Sequence, residues 1–223
     1  MAREKKPSGL TKKNRRNPPR RKPDEVFYLV GEGESTEKFY FESFSIPGTL
    51  KVDYKSYTRS AQQLVEKAVA NSKDKNYSEV WVVFDLDYNP ARGDEQYAEF
   101  TKAIQYAIKH SIKVAYSIDS FEIWFRLHYE NITTRIAREQ LYDDLSRRWE
   151  TDYEQYGKEE AFARELAARL ENDPDADRQE AITRAKNLHE KYKALPYREQ
   201  PSMTTVYRLV HNLTTPRKKD RYK

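Results

Sequence analysis

The chain has 223 residues, 37% of them apolar and 35% charged, and carries a formal net charge of +5. There is no cysteine, which excludes disulfide frameworks, thiolate zinc sites and cysteine nucleophiles. The four histidines (His110, His128, His189, His211) lack the HExxH-type spacing of a histidine metal site.

The charge is unevenly placed. Residues 1–22 hold ten Lys or Arg against Glu4 alone, and residues 217–223 hold five against Asp220, so the body between them sums to −8. The first segment also carries Pro7, Pro18 and Pro19 and almost no large apolar residues. Such a stretch cannot bury enough surface to offset the entropy of ordering, and a disordered basic arm is expected. Arg15, Arg16, Arg20, Arg21 and Lys22 in it are candidate contacts to a phosphate backbone, each neutralised phosphate releasing a counterion; a solubilising tail reads equally well. Residues 217–223 form a second basic tail. No apolar run approaches the roughly 18 residues needed to span a bilayer, and the N-terminus lacks the apolar core of a signal peptide. A cytoplasmic protein without membrane contact is therefore expected.

Ordered structure is expected from residue 23. Val26 to Val30 is a short β-rich apolar run, as in a strand buried on both faces. Gly31-Glu32-Gly33-Glu34-Ser35 interrupts it, and Thr36 to Phe44 follows at helical spacing. Lys51 to Tyr57 predicts a second strand and Ser60 to Asn71 a helix. Val80 to Phe84 is the strongest strand and runs into Asp85-Leu86-Asp87. A helix over 94–109, a short strand over Lys113 to Tyr116, and a helix from Phe121 to about Glu130 capped by Ser120 complete this part. Strands alternating with helices predict an α/β domain over 23–130, with a parallel sheet of about four strands sandwiched by helices. Residues 131–216 read as helical throughout, with candidates at 134–149, 158–170, 175–194 and 202–213, and pack on or beside that domain. Ser202 reads as the N-cap of the last helix.

In an open parallel sheet, active sites lie beyond the carboxyl ends of the strands. Glu32 follows the first strand, and Asp85 and Asp87 end the third. Being two apart on extended backbone, the aspartates point the same way. Convergent carboxylates repel unless a proton or cation sits between them, and hard oxygen ligands of this kind suit Mg²⁺ or Mn²⁺. Glu122, at the start of its helix, is either a charge favoured by the helix dipole or a further ligand. Glu37 reads as a capping-type contact, Glu34 as a neighbour of the metal. The side formed by Phe121, Trp124, Phe125 and His128 reads as core packing rather than a surface for stacking bases. Arg184 and Lys186, from the helical region, are either solvated or fold over the carboxylates to hold a phosphate.

Other families use these fragments differently. Asp85-Leu86-Asp87-Tyr88-Asn89 is similar to the first motif of haloacid-dehalogenase phosphatases, but that motif opens its domain and carries Thr or Val where Asn89 stands. Gly31 to Lys38 is not a GxxxxGK[ST] loop, so no ATPase site of that type is present.

The order of parts resembles a Toprim domain, with Val30-Gly31-Glu32-Gly33 where that fold carries its glutamate and Phe84-Asp85-Leu86-Asp87 where it carries its DxD. More closely, three segments resemble the RloB-like family. They are Gly31 to Glu37 with Tyr40-Phe41, Val83 to Asp87, and Ser120 to Tyr129; looser matches follow at Ala181 to Lys186 and Pro201 to Val210. Ser117-Ile118-Asp119-Ser120 stands where the family usually has Asn-Pro-Cys. The resemblance implies a Mg²⁺-dependent nuclease-like domain acting on RNA or DNA in an anti-phage locus, often beside an AAA-type ATPase. In it Glu32, Asp85 and Asp87 bind metal, Glu122 and Lys186 join the catalytic group, and Arg184 contacts nucleic acid. A non-catalytic subunit that binds nucleic acid or the ATPase is the alternative.

Overall fold

Five consecutive apolar residues, Val26 to Val30, leave no face for water. In the computed structural model, which describes residues 24–215, they form the middle of β1 (Glu25–Gly31), with Phe27, Tyr28, Leu29 and Val30 all buried. On either side of β1 lie β2 (Leu50–Ser56) and β3 (Glu79–Leu86), and β4 (Lys113–Ile118) pairs with β3 beyond. The order is β2-β1-β3-β4 and every pairing is parallel. The two central strands are the two most apolar runs of the chain, as burial on both faces demands. Edge strand β2 instead alternates, with Leu50, Val52 and Tyr54 buried and Lys51 and Lys55 exposed.

The crossovers are helical: α1 (Thr36–Glu42), α2 (Ala61–Ser72) and α3 (Glu95–Lys109). The start of α2 is fixed by a capping box, in which the Gln63 N–H donates to Ser60 Oγ and the Ser60 N–H donates to Gln63 Oε1. Parallel crossovers are right-handed, so a chain that steps from β1 to β2 and then back past β1 to β3 must change faces. The packing agrees. α2 and α3 lie against each other and on β1, β3 and β4, while α1 leans on β2.

The helical half consists of α4 (Ile123–Arg126), α5 (Arg138–Trp149), α6 (Tyr153–Tyr156), α7 (Glu160–Asn172), α8 (Arg178–Tyr192) and α9 (Val206–Thr214). It closes the same hydrophobic core, which runs without a break from Phe27 to Leu213. The aromatic side of α4 is core, as expected. Phe121 and Phe125 meet Tyr40 edge-on, and Trp124 Nε1 donates to Tyr40 Oη at 2.7 Å.

Three local expectations are corrected. The helix foreseen over 121–130 is a single helical turn. The carbonyls of Leu127 and His128, which a longer helix would offer to residues 131 and 132, instead accept from Arg184 Nη1, and His128 O also accepts from the Asp177 N–H. Ser120 does not cap it; its buried hydroxyl has no protein partner, the N-cap position falls on Glu122 without a side-chain capping bond, and Asp85 on β3 accepts the Phe121 N–H just before it. Ser202 is not an N-cap either. Its Oγ accepts from the Ile136 N–H at 2.9 Å and donates to the Asp119 carboxylate, and α9 begins only at Val206. The intervening residues Met203 to Thr205 cover the open edge of β4 through an antiparallel bridge, Ser117 to Thr204. The basic arm, including Arg15, Arg16, Arg20, Arg21 and Lys22, and the tail 217–223 lie outside the described residues. Among the described residues no helix is long and apolar enough to cross a membrane.

Candidate active site

Strand order reverses between β1 and β3, and it is outside the carboxyl ends of two such strands that open α/β sheets hold ligands. Glu32 leaves β1 there, and Asp85 and Asp87 leave β3. A cavity of about 490 Å³ opens between them, with Arg92, Gln96 and Lys102 on its walls. Two glycines make the crowding possible. A Cβ on Gly31 would lie 2.0 Å from Tyr54 Oη, and one on Gly33 would lie 1.7 Å from a carboxylate oxygen of Glu37.

The acids act on one another. Asp85 is partly buried and accepts the Phe121 N–H on Oδ2 at 2.8 Å, which fixes the loop between β4 and α4. Burial, then the charges of Glu37, Asp87 and Glu122, push its carboxyl well above the usual range. Glu37 is pushed up to about 7 by burial and by Glu122, against the opposing charge of Lys158. Glu32 is an exposed residue, and its carboxyl reaches about 7 through the desolvation it meets at the cleft and then through the nearby Asp87. Glu122 is 5% exposed and accepts from Tyr153 Oη at 3.1 Å. The Tyr54 hydroxyl faces this group too. It is buried without a hydrogen-bond partner, and its pKa is raised by burial and by Glu37, Asp85 and Glu32.

Two cations answer this charge. Arg138, in the first turn of α5, pairs with Asp87 and donates to the Asp119 carbonyl at 3.0 Å. Lys158, before α7, is held protonated, against its burial, by Tyr142 and Glu122. Both come from the helical half.

Glu32, Asp85, Asp87 and Glu122 thus share one end of the sheet. Arg184 and Lys186 hold other positions. Arg184 is spent on the Leu127 and His128 carbonyls, at the far end of α4 from Glu122, and Lys186 is exposed on α8. Glu34 is exposed. Glu37 reaches back over Gly33, where its carboxylate meets its own backbone N–H and faces Glu122 and Glu32. His128 is buried, with Nδ1 directed at the Trp124 carbonyl at 2.9 Å, and burial lowers its pKa to about 4, so it is neutral near pH 7. Arg138, Lys158, Tyr54 and Tyr153 carry no sequence motif that marks them; only the fold delivers them.

All the acidic groups offer hard oxygens. Among the described residues no three His, Asp or Glu side chains converge as a ready metal cage. Asp85 is turned to the Phe121 amide, Asp87 to Arg138 and Glu122 to Tyr153. Mg²⁺ does not require such a cage, since it keeps several waters and takes one or two carboxylates. The donor set therefore fits an open Mg²⁺ or Mn²⁺ site.

The chain matches the family model of RloB-like proteins over residues 27–213. It belongs to the RloB-like protein family. No curated protein and no solved structure matches it. In this RloB-like chain the matched region begins in β1 and ends in α9, so it contains the carboxylate cluster and every helix that covers it, including the sources of Arg138 and Lys158.

Proposed function

We propose that this RloB-like chain is a metal-dependent endonuclease with a Toprim-type site, cutting phosphodiester bonds of RNA or DNA in the cytoplasm as part of an anti-phage system. The observation that carries the reading is charge. Among the described residues, Glu32, Glu37, Asp85, Asp87 and Glu122 lie around the switch point of the sheet with Arg138 and Lys158 against them, and burial together with their mutual repulsion raises the carboxyls of Glu32, Glu37 and Asp85. A divalent cation is the counter-charge that such a group lacks. The order of the acids along the chain, a glutamate after the first strand and DxD on the third, supports the Toprim comparison.

Glu32, Asp85 and Asp87 would hold Mg²⁺ or Mn²⁺, with Glu122 behind them. The metal, when bound, supplies activation of a water and stabilisation of the leaving oxygen in an in-line attack on phosphate. The chain's own residues do the rest. The Phe121 amide fixes Asp85, so that its carboxylate is pre-oriented. Tyr153 holds Glu122 in place under α6. The open cleft beside Glu32 admits the polyanion, and the basic arm raises affinity without sequence choice. An AAA-type ATPase partner belongs to the same proposal, as the resemblance to the RloB-like family implies.

The test is incubation of the full chain with labelled RNA and DNA in Mg²⁺, Mn²⁺ or EDTA. Cleavage that needs the metal and disappears in Asp85→Asn is expected. Binding without products in every condition would instead make the chain a non-catalytic subunit, and turnover of a small phosphomonoester would make it a phosphatase.

A further inference from the structure

Asp87 lines two cavities. One is the cleft shared with Glu32 and Asp85; the other, about 520 Å³, lies on the far side and is lined by Tyr88, Asp119, Arg135, Arg138 and Glu139. It sets two arginines against the three acids Asp87, Asp119 and Glu139 and adds one exposed aromatic ring. Tyr88 is 47% exposed yet held in place: its ring stacks on Tyr97 (centroids 6.1 Å apart, planes at 24°), and the Arg135 guanidinium lies 5.6 Å from its centroid. Arg135 is itself anchored, donating from Nε to Gln200 O at 3.1 Å and from Nη2 to Tyr197 O at 3.0 Å. Arg138 is anchored on Asp87 and the Asp119 carbonyl. The Asp119 carboxylate is occupied by the Ser202 hydroxyl.

We propose that this second cavity receives an unpaired nucleotide next to the scissile phosphate, with Tyr88 stacking on its base and Arg135 and Arg138 neutralising its phosphates. The substrate of the site would then be single-stranded nucleic acid, or a strand opened at the cut, and not an intact duplex. This rests on the nuclease reading above. The physical reasons are local. A base inside a duplex has both faces covered by its neighbours, so an exposed tyrosine gains a stacking partner only from an unpaired base. An aromatic ring already fixed by Tyr97 and Arg135 loses little freedom on binding. Guanidinium groups present a planar fork that matches phosphate oxygens. The position beside Asp87 places base, phosphate and carboxylates along one path.

Fluorescence anisotropy in EDTA, with the full chain and a short labelled strand or its matched duplex, tests the proposal apart from cleavage. Tyr88→Ala should weaken the single strand about tenfold and leave the duplex within roughly twofold, whereas Tyr88→Phe keeps both. One abasic position in the strand should weaken the wild-type chain and erase its difference from Tyr88→Ala. Arg135→Ala and Arg138→Ala should each reduce the salt slope of binding by about one. A Tyr88→Ala chain that binds the strand as tightly as wild type, or loses strand and duplex equally, would overturn the proposal. Parallel cleavage assays in Mg²⁺ separate the two readings. Tyr88-dependent binding without any cleavage keeps the nucleotide site and removes the nuclease; cleavage of strand and duplex alike, unaffected by Tyr88→Ala, does the reverse.

Discussion

A single strand, β3, carries a buried or half-buried acid near each end, and the two are treated in opposite ways. At its start Glu79 accepts from Lys113 Nζ at 2.5 Å, Trp81 Nε1 at 2.6 Å and Asn212 Nδ2 at 3.1 Å, tying β3, β4 and α9 together. Against its burial, those hydrogen bonds hold the Glu79 carboxyl below the usual range. At the other end Asp85 has one backbone donor and three acidic neighbours, and burial, with the charges of those neighbours, drives its carboxyl well up. The chain therefore has the means to neutralise a buried carboxylate and uses them where the acid is structural. At the carboxyl end it leaves repulsion in place, the pattern expected where stability is given up for a ligand that arrives from outside.

Variants at the two ends should separate the roles. The largest effect is expected from Asp85→Asn, with metal-dependent cleavage falling at least ~100-fold while nucleic-acid binding in EDTA stays close to wild type. Glu79→Ala should do the opposite, leaving cleavage per folded molecule intact and lowering stability in urea by about 1–3 kcal/mol. Because the Glu79 pKa is lowered on folding, its contribution is present above the unfolded value and fades as pH falls through the folded one, so the gap between wild type and Glu79→Ala should narrow in acid. Smaller, and of reversed sign, is Glu37→Gln without added cation. Its folded pKa of about 7 lies above the unfolded value, so the charge penalty grows as pH rises from ~4.5 and is complete above ~7. Glu37→Gln should then match wild type near pH 5 and exceed it by about 1 kcal/mol at pH 8, a few degrees in melting temperature. A gap that does not change with pH would contradict the account of this end.

The same contrast explains what the sequence made legible. Apolar runs announced β1 and β3, and the rule that sites lie past strand ends picked out Glu32, Asp85 and Asp87. The four-stranded parallel sheet and the helical second half follow from the same periodicities. Hidden were the groups whose roles come from long-range contacts. Arg138 at the start of a polar helix and Lys158 in the turn before α7 are ordinary bases until the helical half folds over the sheet. Arg184 ends α4 early by taking two carbonyls, which no helix periodicity encodes, and Ser202 is drawn from its cap position by Ile136 and Asp119. Glu37 looked like a helix-start acid because local spacing says nothing about the side on which Gly33 leaves room.

The central claim is that the acids at the carboxyl end of the sheet bind a divalent cation. Isothermal titration of Mg²⁺ or Mn²⁺ into the full chain and into Asp85→Asn tests it without any nucleic acid. The account predicts saturable binding to the wild-type chain and its loss in the variant. No binding to the wild-type chain, or equal binding to both, would contradict it.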